Sequence, residues 1–188
     1  MYLIKQMDNT SEHVDELRIY QMINHNWHFD KRIKVRNCTD LFEQLQTIPF
    51  PLDYAIIKLN KLYRNTLYYC FPQIKIIIDK PEVMTCFNRL LHQEKQAYEE
   101  VAATIEQGMM EEALKRDIGC FIKGFYARAS KAEAIEFYEL WQSDMPLNDK
   151  KISRLIRTME FYLDEILNYF DISNREEYFR SQKSCIEK

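Results

Sequence analysis

The chain has 188 residues and a net charge of −3, and 46% of it is hydrophobic, which is enough apolar material for a substantial core. It has no run near the roughly 20 apolar residues of a membrane span, and residues 1–16 lack the charged start and apolar centre of a signal peptide. Five widely spaced cysteines without a Cys-x-x-Cys pair argue against a disulfide framework or a structural zinc site. These features predict a cytoplasmic protein with no membrane partner, metal or cofactor.

In the N-terminal part of the chain, the apolar residues favour helical spacing. Ser11 can cap a helix that runs to about Trp27, with Leu17 and Tyr20 on its apolar side. The alternation of Ile33 and Val35 with charged residues also fits a short strand. We expect residues 1–30 to form a helical extension.

The next segment resembles a compact group of short helices. Thr39 can cap a helix that Pro49 ends, and apolar residues at helical spacing predict another over 52–59. A third helix should follow the turn at 59–62. The β-branched run 73–79 fits a strand when taken alone, but we interpret it as the start of a helix.

Helical periodicity is stronger beyond residue 80. With three Gly and five Pro, the chain is also poor in the turn residues that sandwiches and barrels need. The sequence therefore predicts an all-α protein, in which a small helix-turn-helix unit is followed by a larger helical domain. The helices of that second domain are expected over 81–91, 93–118, 131–141 and 150–170.

The charge of the chain is unevenly distributed. Residues 31–80 contain nine basic and four acidic side chains, a net of +5, whereas residues 1–30 carry −3 and residues 81–188 carry −5. A basic segment inside an acidic protein is typical of one part that meets phosphates and another that does not. We therefore expect 31–80 to bind DNA and 81–188 to form the separate helical domain.

The segment 56–71 resembles the TetR-type family of bacterial regulators. Ile56-Ile57-Lys58 matches the start of the family's helix before the turn, and Thr66-Leu67-Tyr68 with Phe71 matches the end of the reader helix that follows it, without a gap. The helices expected over 131–141 and 150–170 resemble the pair that joins two subunits in that family. The resemblance implies a dimeric, DNA-binding transcriptional regulator that responds to a small molecule.

The resemblance also implies which residues act. The DNA-facing side chains would be Lys61, Arg64, Asn65, Thr66, Tyr68, Tyr69 and Lys75, with lysines and tyrosines on phosphates and Arg64 or Asn65 on base edges. A small apolar ligand would lie in a pocket lined by Met109, Phe121, Phe125, Tyr138 and Trp141. Core packing is the alternative role for each residue of that pocket.

Two other classes of function compete with this one. A non-enzymatic helical interaction module, such as an adaptor, inhibitor or immunity factor, would use the apolar stripes for a partner. An enzyme is the least favoured class, because the paired acids at 99–100 and 111–112 lack a histidine at metal-ligand spacing. The sequence also contains no phosphate-binding loop and no local nucleophile–base arrangement.

Overall fold

The computed structural model of the chain describes residues 1–7, 15–24, 26–92, 105–145 and 150–172. The chain divides into two units. The first contains Met1–Ile78 and is rejoined by the chain at Asp171, and the second contains Asp79–Phe170.

A five-stranded mixed sheet forms the centre of the first unit. Its spatial order is β3-β2-β1-β4-β5. The first three strands pair antiparallel, and β4 and β5 run parallel to β1. The prediction of an all-α protein is therefore wrong. The strands in chain order are β1 (Tyr2–Met7), β2 (Asp15–Ile23), β3 (Asn26–Val35), β4 (Tyr54–Ile56) and β5 (Lys75–Ile77).

Strand β2 occupies the segment where the sequence predicts the N-terminal helix. Leu17 and Ile19 are 2% and 0% exposed and point to the same face, which is the period of two that a strand requires. Leu17 and Tyr20 are also three residues apart, so the same sequence is compatible with the apolar side of a helix. Pairing with β1 and β3 decides the outcome, and Ser11 lies outside the described residues.

Strand β4 replaces the first helix of the predicted helix-turn-helix unit. It lies between β1 and β5, and Ala55 and Ile56 are 0% and 3% exposed. A strand buried on both faces reads as a continuous apolar run and shows no alternation. The same reason explains why 73–79 contains strand β5 and not a helix. The segment 52–71 thus holds a strand and one helix, so no helix-turn-helix forms there.

Two helices cover one face of this sheet. Helix α1 (Cys38–Gln46) begins after Asn37, whose side chain accepts a hydrogen bond from Asp40 N. Helix α2 (Lys61–Cys70) begins after Asn60, whose side chain accepts from the N–H groups of its first turn. Such caps satisfy donors that have no partner within the helix. The core between helices and sheet includes Ile4, Leu17, Ile19, Ile33, Val35, Leu41, Leu45, Ala55, Ile57, Tyr63, Leu67 and Ile76.

All regular secondary structure in the described part of the second unit is helical, which confirms helices in most of the segments where the sequence predicts them. The predicted helix over 93–118 is confirmed only from Ile105, because 93–104 lies outside the described residues. The predicted helix over 150–170 ends earlier, at Phe161, because Tyr162 leaves the helical conformation. The helices are α3 (Lys80–His92), α4 (Ile105–Tyr126), α5 (Lys131–Asp144), α6 (Lys150–Phe161) and α7 (Leu163–Leu167), and a 3-10 turn follows over Asn168–Asp171.

The apolar side of the last helices is already buried within one chain. Met159 is 2% exposed and Ile166 is 1% exposed. Both lie in the segment 150–170, which the resemblance places at a contact between two subunits, but in this fold they are core residues. A second subunit would have to bind to other side chains.

No helix in the described part of the chain has both the length and the apolar character needed to cross a membrane.

Candidate functional site

A row of basic side chains crosses the three antiparallel strands. Lys5 of β1 pairs directly with Arg18 of β2, and Arg18 pairs with Arg32 of β3. Directly paired residues point to the same face of a sheet. Their chain neighbours Leu17 and Ile33 belong to the core under α1 and α2, so the three basic side chains point to the opposite face.

One carboxylate lies among these cations. Glu16 pairs with Lys34 of β3, on the same face as Arg18 and Arg32. Its Oε1 lies 2.6 Å from Arg18 Nε, and its Oε2 lies 3.4 Å from Arg32 Nε. We call Lys5, Arg18, Arg32 and Lys34 the cationic row. With Glu16 counted, this group has a net charge of +3.

The exposure of the row increases toward the edge of the sheet. The Arg18 side chain is 23% exposed, whereas the Arg32 side chain is 53% exposed, and Lys34 is also exposed. The hydrogen bond from Arg18 to Glu16 raises the pKa of the Arg18 guanidinium, and burial opposes that effect. Like charges directly opposite each other destabilise a sheet. The Glu16 carboxylate offsets part of this repulsion.

A second group of polar side chains lies at the carboxyl ends of the parallel strands. Gln6, which ends the buried part of β1, accepts a hydrogen bond from Lys58 N at 3.1 Å. Strands β1 and β4 are neighbours in the sheet, but the chain continues from β1 to β2 on one side and from β4 to β5 on the other. Ligands of open α/β sheets bind where two such connections diverge. Here the Gln6 carboxamide joins β1 to the end of β4. Among the described residues, no three His, Cys, Asp or Glu side chains are arranged to hold a metal ion.

The same end of the sheet contains a tyrosine–aspartate hydrogen bond. Tyr63 of α2 donates its hydroxyl to Asp15 Oδ2 at 2.7 Å, at the start of β2. Burial raises the pKa of Tyr63 well above its usual value, and the hydrogen bond and charge of Asp15 raise it further. The neutral phenol therefore persists over the whole physiological range. This contact connects a helix to the sheet and positions both.

Six of the seven residues that were expected to face DNA lie on helix α2. Lys61, Asn65 and Tyr69 are exposed, and Tyr69 is 75% exposed. The Arg64 guanidinium lies 5.5 Å from the centre of the Tyr68 ring. The structure therefore places Lys61, Arg64, Asn65, Thr66, Tyr68 and Tyr69 on one helix.

The seventh residue, Lys75, lies apart from that helix. It is the first residue of β5, and its Nζ lies 3.4 Å from Asp171 Oδ2. The structure therefore does not place Lys75 with the six residues of α2.

Four of the five residues expected to line a ligand pocket form one aromatic cluster in the second unit. Phe121 stacks on Trp141 with ring centres 3.9 Å apart, and it contacts Phe125 at 5.9 Å and Tyr138 at 6.3 Å. Met109 lies on helix α4, and its side chain is outside the described part of the structure. Among the described residues, Tyr138 Oη and Trp141 Nε1 are buried and have no hydrogen-bond partner. Burial raises the pKa of Tyr138 to about 12.

Comparison with protein-family models finds no match, and comparison with curated proteins finds none either.

Sequence reasoning did not identify Lys5 and Arg18 as members of a basic surface. They lie in a segment whose net charge is −3, so a count along the chain hides them. The signal was the period-two pattern of β2, in which Glu16, Arg18 and Tyr20 share one face. Only strand pairing brings them beside the basic residues of β3.

Proposed function

We propose that this protein binds nucleic acid, and that its first unit contacts the phosphate backbone through the cationic row. The observation that carries the proposal is the register that sets Lys5, Arg18 and Arg32 side by side on one face. Neighbouring strands lie about 4.8 Å apart, so the row extends over roughly 10 Å. Neutralisation of phosphates by lysine and arginine supplies most of the affinity for nucleic acid that does not depend on sequence.

The position of the row argues for function over edge protection. Lysine on an edge strand commonly prevents that strand from pairing with another chain. Such protection explains basic residues on β3, but it does not require Arg18 on β2 or Lys5 on β1, which are interior strands. A partner that spans several strands accounts for all of them. Nucleic acid as the partner also agrees with the cytoplasmic location that the sequence predicts.

The test is a salt series with two matched double variants. Binding of a labelled DNA oligonucleotide to the full chain would be followed by fluorescence anisotropy between about 50 and 200 mM salt. We expect affinity to fall steeply with salt. Replacing Arg32 and Lys34 with Gln should weaken binding at low salt. It should also make the slope of log binding constant against log salt concentration shallower by about two, because each lost phosphate contact reduces that slope by about one.

The control changes the same two charges on another surface. Replacing Lys61 and Arg64 with Gln alters helix α2, which packs on the opposite face of the sheet from the cationic row. The proposal would be wrong if the Lys61 and Arg64 variant lost affinity and the Arg32 and Lys34 variant did not. The surface that binds nucleic acid would then be helix α2.

Absence of binding at the lowest salt would reject nucleic acid as the partner. That result would favour the second function that the sequence predicts, a protein-interaction module. In the second unit, Leu140 and Phe161 are 66% and 43% exposed and are the side chains to test for it.

A further inference from the structure

An exposed aromatic ring lies on the same face as the cationic row. Phe29 of β3 is 51% exposed, which is high for a phenylalanine in a strand. It pairs directly with Tyr20 of β2, and the two rings meet edge to face with centres 6.0 Å apart. Tyr20 is two residues from Arg18 and therefore points to the same face. Tyr20 is 7% exposed, so Phe29 is the one of the two residues that solvent reaches.

An irregularity in the strand pairing sets this arrangement. Arg18 pairs with Arg32 and Ile19 pairs with Lys31, so a regular ladder would next bring Asp30 opposite Tyr20. The register instead shifts between Ile19 and Tyr20, and Phe29 takes that place. Bulges of this kind redirect a side chain at functional surfaces. Here the shift places an aromatic ring, and not a carboxylate, opposite Tyr20 and beside the cations.

Cations and an open ring on one sheet face suit a strand whose bases are unpaired. Sheets that read single strands stack bases on exposed aromatic side chains, while basic groups hold the backbone. A duplex keeps its bases stacked on one another and offers no base to Phe29. The ring lies three residues from Arg32, or roughly 10 Å along β3, so both can contact one short segment of a strand.

We infer that the preferred ligand of this face is single-stranded nucleic acid, with phosphates on Arg32 and Lys34 and a base stacked on Phe29. This inference rests on the proposed function and narrows it to one class of ligand. It predicts that affinity contains a base-dependent part, which Phe29 supplies, in addition to the salt-dependent part.

The experiment compares three probes on the full-length protein. They are a labelled 15-mer of thymidine, a 15-mer of the same backbone with abasic sites, and a 15-base-pair duplex. We expect the thymidine strand to bind best, by roughly 5- to 150-fold over the abasic strand if one base is stacked. Phe29→Leu should remove most of that difference without changing the salt slope, and Phe29→Tyr should keep it.

Tyr69→Leu is the matched control, because Tyr69 is 75% exposed on helix α2 and is also an aromatic residue of the first unit. It should leave all three affinities unchanged. Circular dichroism of each variant would establish that the fold persists, and Phe29→Tyr provides a second comparison if Phe29→Leu does not fold.

The possible results separate the two proposals. Equal affinity for the thymidine and abasic strands, or a duplex bound as tightly as the single strand, would overturn the inference and leave phosphate binding intact. A thymidine preference that survives in Phe29→Leu or disappears in Phe29→Tyr would also overturn it. Failure of all three probes to bind at low salt would reject the proposed function and the inference together.

Discussion

Two glycines of helix α4 differ in the space around them. A Cβ atom built on Gly119 has no heavy atom within 4 Å, whereas one built on Gly124 would lie 2.7 Å from Cζ of the Phe137 ring. That ring is held from two sides, since it stacks on Phe121 at 5.8 Å and the Arg128 guanidinium lies 4.2 Å from its centre. Gly124 therefore allows α4 and α5 to approach closely at this point.

Alanine at these two positions should have opposite effects on stability. Gly119→Ala should stabilise the protein by up to about 1 kcal/mol, because alanine loses less backbone entropy than glycine when a helix forms. Gly124→Ala should destabilise it by about 1–3 kcal/mol, because the Phe137 ring has to move. Urea unfolding of both variants measures the difference. A stabilised Gly124→Ala protein would show that the ring moves without cost.

Two buried tyrosine hydroxyls offer a second contrast between residues. The Tyr63 hydroxyl donates to Asp15 at 2.7 Å, whereas the Tyr138 hydroxyl has no hydrogen-bond partner in the described part of the chain. A hydrogen bond to a charged group contributes about 1.5–3 kcal/mol, and a buried unsatisfied polar group costs a similar amount.

Phenylalanine should therefore act differently at the two sites. We expect Tyr63→Phe to lower the free energy of unfolding by about 1.5–3 kcal/mol, and Tyr138→Phe to leave it unchanged or raise it. Chemical denaturation of both variants provides the measurement. A large loss of stability in Tyr138→Phe would reveal an acceptor for its hydroxyl, such as a bound water or ligand.

At the level of elements, strand β3 is the least sheltered part of the sheet. Seven of its ten residues are exposed, and in the described sheet it is the edge strand, next to β2. Ile33 and Val35, at 2% and 3% exposure, attach its carboxyl end to the core under α1. The amino-terminal half carries the exposed Phe29, and the turn before it contains Asn24 at φ 49, a left-handed conformation that asparagine tolerates better than most residues. An edge strand with these properties exposes most of its side chains to solvent.

At the level of the whole molecule, buried tyrosines link stability to high pH. Burial raises the pKa of Tyr138 to about 12, and it raises those of Tyr63 and Tyr126 above their usual value near 10. The folded protein thus holds these protons to higher pH than the unfolded chain does. The stabilisation is fully present below about pH 10 and is lost as pH rises through the folded-state pKa values.

The free energy of unfolding should therefore fall between about pH 10 and 12, and an absorbance titration should show a class of late-ionising tyrosines among the twelve. Tyr138→Phe should remove the part of that class that titrates near pH 12. A single titration near pH 10 for every tyrosine of the folded protein would contradict the buried positions.

The sequence by itself determined most of the helices of the second unit and both helices of the first. Long segments such as 131–141 carry enough turns for a periodicity of 3.6 to be recognised. The apolar spacing also predicts α1, although its cap is Asn37 and not the predicted Thr39. The sequence also indicated that basic residues gather near 31–36, and that Phe121, Tyr138 and Trp141 are large apolar side chains for an interior.

Only the tertiary structure decided the rest. Strands β4 and β5 have three residues each and are mostly buried, and the apolar spacing of β2 also fits a helix, so local spacing does not separate strand from helix in these segments. Hydrogen bonds to strands distant in the chain decide the outcome. The cationic row has the same origin, since Lys5 and Arg32 are brought together by strand register and not by proximity in sequence. The register shift that puts Phe29 opposite Tyr20 is likewise set by pairing between β2 and β3, so the candidate surface could not be identified before the sheet was known.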